Sequence, residues 1–221
     1  MRYDVTAGPF PLLRITLDAG ETLEAELQAF VAMDGEAEIS STLIKPTKST
    51  LRTMIGGKKS AITTRFSAAA PTTVTLTSGI PGEFAVLTID AQQERRVLPG
   101  AYVAHDGEVA LDLEVLKLNA TTWIPLLSFT GRGNVFLGAS GAVHERRLAA
   151  DETIVLDRVH LLACDPTLTF EDASERGLWP TLTGQDLLAA TGPGQVLYQS
   201  LPRTMRSTPL SEALHTALSL R

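Results

Sequence analysis

Leu17-Asp-Ala-Gly-Glu-Thr-Leu-Glu-Ala-Glu-Leu-Gln-Ala-Phe-Val-Ala-Met-Asp34 lies over Leu148-Ala-Ala-Asp-Glu-Thr-Ile-Val-Leu-Asp-Arg-Val-His-Leu-Leu-Ala-Cys-Asp165 without a gap. Identities fall at Leu17/Leu148, Ala19/Ala150, Glu21/Glu152, Thr22/Thr153, Ala32/Ala163 and Asp34/Asp165, with Leu23/Ile154, Phe30/Leu161 and Val31/Leu162 conservative between them. Taken alone, Glu21–Met33 reads as an amphipathic helix, with Leu23, Leu27, Phe30 and Val31 at helical spacing, Asp18 as cap and Gly35 as stop. Its counterpart Thr153–Leu162 is β-branched and a poor helix. Two copies of one unit share one conformation, so both segments are expected to be strands.

Outward from that pair, a partial third copy ends Leu98-Pro-Gly-Ala-Tyr-Val-Ala-His-Asp106-Gly107, which puts Met33, His105 and Cys164 at one repeat position before an Asp turn. A second element recurs as Ala70-Pro-Thr-Thr-Val74, Thr130-Gly-Arg-Gly-Asn-Val135 and Thr191-Gly-Pro-Gly-Gln-Val196, the three valines being equally spaced. The paired glycines there supply positive φ or close backbone approach, and a strand follows each. Val109, Leu111, Leu113 and Val115 alternate with polar or small residues, as in a half-buried strand. These signals predict an all-β chain: repeated β-lobes forming a double-stranded β-helix-like or sandwich body over 1–204. The lobes are placed at 1–40, 61–118 and 125–204, with a polar connection at 41–60. A short C-terminal helix is expected at 205–221, capped by Thr208 and striped by Leu210, Leu214 and Leu218.

At 221 residues, 44% apolar and 20% charged, the chain has ordinary globular chemistry and fits one β domain. A net charge of -6 gives no general attraction to phosphate backbones. The single Cys164 cannot form an intrachain disulfide and suits a reducing compartment. Met1–Val5 meets turn residues without an apolar core, and no apolar run approaches the about 18 residues of a membrane span. The expectation is a cytoplasmic protein without a transmembrane segment.

The opening Tyr3-Asp-Val-Thr-Ala-Gly-Pro-Phe-Pro11 is followed by the Gly20-Glu-Thr22 turn and the Met33-Asp-Gly35 corner. The Gly131-Arg-Gly133 strand and the closing Gly192-Pro-Gly-Gln-Val-Leu-Tyr-Gln-Ser-Leu-Pro202 complete the series. As an ordered set over residues 1–203 these motifs resemble the altered inheritance of mitochondria protein 24 family. The resemblance implies β-helix-like lobes related in fold to the tryptophan RNA-binding attenuation protein, and no established enzymatic activity. Residues 41–65 depart from the family's pattern, being poorer in glycine and richer in Thr and Lys.

Sharper chemistry finds little footing. His105, His144, His160 and His215 lack metal-ligand spacing. Gly138-Ala-Ser140-Gly141, with His144 nearby, lacks the spacing of a nucleophile elbow. Gly131-x-Gly133 precedes a strand where a dinucleotide site needs a helix, and Gly56-Gly57-Lys58-Lys59-Ser60 lacks the phosphate-loop spacing. No cofactor is expected. The reading is a non-enzymatic β-scaffold or binding module assembling into a homo-oligomer, with nucleic acid not the expected partner. One alternative is an RNA or anionic-ligand binder using the basic 41–65 segment and the pairs Lys58/Lys59, Arg95/Arg96 and Arg146/Arg147. An enzyme with an unrecognised pocket is the second alternative.

Overall fold

The computed structural model describes residues 1–44, 61–91, 93–118, 122–173 and 186–202. Strands come in three sets that share one pairing scheme. The first holds β1 (Arg2–Val5), β2 (Leu12–Leu17), β3 (Thr22–Glu26), β4 (Phe30–Asp34), β5 (Ala37–Ile44), β6 (Ala61–Ala68) and β7 (Thr72–Thr77). The second holds β8 (Phe84–Ile89), β9 (Arg95–Val97), β10 (Tyr102–Asp106), β11 (Glu108–Lys117) and β12 (Trp123–Gly138). The third holds β13 (Val143–Leu148), β14 (Thr153–Asp157), β15 (Leu161–Cys164), β16 (Thr169–Asp172), β17 (Leu187–Thr191) and β18 (Gly194–Gln199). All named pairings are antiparallel.

In each set, here called lobes 1 to 3, two outer strands flank the last one: β2 and β4 on β7, β8 and β10 on the end of β12, β13 and β15 on β18. Two further strands flank the one before it: β3 and β5 on β6, β9 and β11 on the start of β12, β14 and β16 on β17. The segment with helical spacing is therefore two strands, β3 and β4, joined by a turn in which Ala29 N–H donates to the Glu26 carbonyl. Leu23 and Ala25 alternate into the core, and tertiary pairing overrides the local helical pattern.

Two neighbouring glycines show why β12 serves both halves of its lobe. Gly131 and Gly133 have φ of +104° and +156°, a backbone open to glycine alone. They bend the strand where its partners change from β11 and β9 to β8 and β10. In lobe 3 Gly192-Pro193 falls between β17 and β18, and two strands replace one.

Lobes join through sheet edges. β10 of lobe 2 pairs with β3 of lobe 1, and β15 of lobe 3 pairs with β9 of lobe 2. The cores are continuous across these joints: Val103, Ala104 and Phe136 pack with Leu13, Ile15, Leu23 and Phe66, while Leu162 and Ala163 pack with Val97, Leu113 and Phe129. Each such fully buried large aliphatic or aromatic side chain contributes about 1.5–3 kcal/mol.

The sequence-based divisions at residues 61 and 125 fall elsewhere in the pairing. β5 and β6 form one antiparallel ladder from Ala37↔Ala68 to Ile44↔Ala61, so residues 45–60 connect strands within lobe 1 and do not separate lobes. Likewise β12 belongs wholly to lobe 2. The expected helix at 205–221 lies outside the described residues.

Candidate functional site

His105, Cys164, Arg95 and Arg96, among the residues singled out from the sequence, lie at the two lobe junctions. Met33, His105 and Cys164 lie opposite Val74, Val135 and Val196, the equally spaced valines, within their own lobes. On the other side His105 lies opposite Glu24 of lobe 1, and Cys164 opposite Arg96 of lobe 2. The three positions therefore occupy separate places along the array.

At the first junction His105 is buried, with Nδ1 2.8 Å from the Tyr102 hydroxyl. That hydroxyl also donates to the Glu24 carbonyl at 3.2 Å. Glu24 Oε2 is 3.9 Å from His105 Nε2 and accepts from the Thr63 hydroxyl at 3.0 Å, and Arg65 holds Oε1 through Nε at 3.0 Å. Burial drives the imidazole down to about 4, with Glu24 opposing the shift and Arg65 adding to it. His105 is thus a neutral hydrogen-bonding core residue at physiological pH. Burial raises the Tyr102 phenol well above its ordinary value.

At the second junction Arg96 Nε lies 2.9 Å from Glu114 Oε2, its Nη2 donates to Glu114 Oε1 at 3.2 Å, and its Nη1 reaches the Pro166 carbonyl at 3.4 Å. Arg95 forms an ion pair with Asp165, whose other oxygen accepts from Gln195 N–H at 2.9 Å. Burial, then the nearby Arg147 guanidinium, pushes Arg95 below its ordinary value. Cys164 is buried and its thiol is pushed up to about 12 by burial, so it remains a thiol and not a nucleophile.

Of the basic residues proposed from sequence, Arg95 and Arg96 are brought together here as ties between lobes. Arg147 stands on the neighbouring β13, and Arg146 reaches Glu152 at 2.6 Å on the same lobe's surface. Lys58 and Lys59 lie outside the described residues. The carboxylates that engage the arginines, Glu114 and Asp165, were missed. Asp165 was legible only as a turn residue, because its partner Arg95 lies a whole lobe away in sequence.

The remaining candidates are structural in their contacts. Ser140 N–H donates to the Gln199 side chain at 2.8 Å, and His144 stacks on Tyr198 with ring centroids 5.4 Å apart. His160 Nδ1 lies 2.8 Å from the Gln199 carbonyl. Among the described residues no three His, Cys, Asp or Glu side chains are grouped to hold a metal. No described helix is long and apolar enough to cross a membrane.

Fold and junctions together define a class: an all-β protein of several antiparallel sheets, with partly buried polar pairs across its joints. Residues 3–201 match the family described as mitochondrial biogenesis AIM24, and the chain belongs to that family. The crystal structure of protein SPYM3_0169 from Streptococcus pyogenes shares the fold, with a TM-score of 0.72 over 97% of each chain at 21% identity. No curated protein sequence matches.

Proposed function

We propose that this chain is a non-catalytic β-scaffold that works by joining sheet edges. The observation that carries this reading is that, among the described residues, each end of the lobe series has a strand with one edge unpaired, β4 in lobe 1 and β14 in lobe 3, whose counterparts are paired on both edges inside the chain. Unpaired apolar edges are association surfaces unless covered. The arginines an anion-binding site would draw on are engaged inside the fold: Arg95 with Asp165 of the next lobe, and Arg96 with Glu114 of its own lobe and the Pro166 carbonyl of the next.

The competing reading, RNA or another polyanion held by the arginine pairs, predicts retention of single-stranded RNA at low salt and steep loss with added salt. Filter binding with an unstructured RNA at about 50 mM and 200 mM salt separates the two. A scaffold shows no salt-sensitive retention and sediments as an assembly larger than the single chain. Strong salt-sensitive binding would replace this reading with the alternative.

A further inference from the structure

Chain-internal junctions show how a lobe is met by the next. The third strand of the later lobe lies antiparallel on the second strand of the earlier one, in the registers Ala104↔Ala25, His105↔Glu24 and Ala163↔Val97, Cys164↔Arg96. The connectors advance in step: Gly82 N–H donates to the Pro9 carbonyl, Gly141 N–H to Pro81, and Leu201 N–H to Ser140. Each lobe is thus set on its predecessor by a repeated operation. Among the described residues no strand pairing joins lobe 3 back to lobe 1.

β4 is built like the strands that are received. All three carry a register shift at the same place, between Phe30 and Ala32, Tyr102 and Ala104, and Leu161 and Ala163. Only the covering differs. Tyr102 and Leu161 are 3% and 2% exposed and their counterpart Phe30 is 43% exposed; Val103 and Leu162 are 3% and 0% exposed and Val31 is 46% exposed. At the other end β14 stands where β3 and β9 stand, and its Val155, the counterpart of Glu24 and Arg96, is 52% exposed. The residues that would meet are matched in character, Met33 to Val155, as His105 is to Glu24. Both halves of one more junction are therefore present on one chain, at opposite ends.

We propose that β4 of one copy pairs antiparallel with β14 of a second copy, in the register Ala32↔Leu156, Met33↔Val155 and Asp34↔Ile154, so that copies join head to tail. This deepens the scaffold reading, and rests on it, by naming the partner as the chain itself. The contact is heterologous: neither strand meets its own equivalent, and the assembly grows to a ring or an open array.

The test uses two full-length single variants, Met33→Cys and Val155→Cys. Directly opposed residues of an antiparallel pair have Cα atoms about 4.5–5.5 Å apart, within disulfide reach. Under mild oxidation the mixture is expected to give a covalent pair containing one of each variant, and neither variant alone should link. Cys164, buried and protonated, stays silent. Linking by Met33→Cys alone, or none in the mixture, overturns the proposal. As a second measurement free of disulfide geometry, Val31→Lys and Val155→Lys should each weaken self-association about tenfold or more, with the melting temperature unchanged. Unchanged association in both also overturns it. If the parent protein is oligomeric while these tests fail, the scaffold reading survives and this junction does not; a parent that is monomeric at every concentration removes both.

Discussion

His105 faces Glu24 across the joint between the first two lobes, its Nε2 3.9 Å from the carboxylate and its Nδ1 2.8 Å from the Tyr102 hydroxyl. A histidine beside a carboxylate would ordinarily be held protonated, yet burial dominates and keeps this one neutral. The joint is therefore sensitive to acid.

That sensitivity has a sign. In the fold His105 takes up a proton only near pH 4, while in the unfolded chain it does so near 6.5. Between these values the unfolded state binds more protons, so stability falls as pH drops from about 6.5 to about 4, by up to about 3 kcal/mol. Met33 shows that the position takes a methionine, and His105→Met should flatten this part of the pH profile in urea unfolding. Glu26, raised by burial, has the opposite slope: its contribution is present at low pH and fades as pH rises past its ordinary value near 4.5. Comparing variant and parent at each pH removes its effect. A parent whose acid profile is unchanged by the substitution would refute the assignment.

Arg96 and Glu114 are both mostly shielded from solvent and hydrogen-bonded to each other. Arg96→Met alone should cost about 2–4 kcal/mol, since it leaves a largely buried carboxylate with less compensation. The double variant Arg96→Met, Glu114→Leu should recover much of that loss. Guanidinium unfolding of the four species gives the coupling directly; additive losses would show that the pair contributes little.

Gly131 sits at φ +104°, and a Cβ there would come within 2.1 Å of the Glu108 carbonyl oxygen. Gly131→Ala should destabilise by about 3 kcal/mol or more, because the obstacle is backbone in the adjoining strand and cannot turn aside. Thermal melting checks it. A change below about 1 kcal/mol would mean that β12 can bend elsewhere.

Cys164, with its thiol pushed up to about 12, should resist alkylation by iodoacetamide at pH 8 in the folded protein. Modification should appear only as fast as the third lobe opens, and urea should accelerate it. Labelling at the rate of a free thiol would contradict the packing described for β15.

Much of the fold was legible because the sequence states it more than once. The resemblance of Leu17–Asp34 to Leu148–Asp165 outweighed the helical spacing of Leu23, Leu27, Phe30 and Val31, and both stretches are strands. The copies ending at Asp34, Asp106 and Asp165 placed Met33, His105 and Cys164 at one position, and each lies opposite one of the equally spaced valines Val74, Val135 and Val196. Lobe divisions were less readable, since the polar composition of 41–60 looks like a boundary, whereas that stretch runs from the end of β5 to the start of β6 within one lobe. The junction partners were hidden for a different reason. Arg95 and Asp165 belong to different lobes, and nothing in local spacing tells which charges meet across a sheet edge. The arginine pairs looked like an anion patch because their carboxylates come from elsewhere in the chain.

The central claim is that β4 and β14, each with one edge unpaired among the described residues, bind each other between copies. Sedimentation velocity of the full chain over a hundredfold range of concentration, beside Val155→Lys, addresses it most directly. The parent should sediment at multiples of 23.7 kDa that increase with concentration, and Val155→Lys should shift the distribution to the single chain. A parent that stays at 23.7 kDa throughout, or an oligomer indifferent to the lysine, would contradict it.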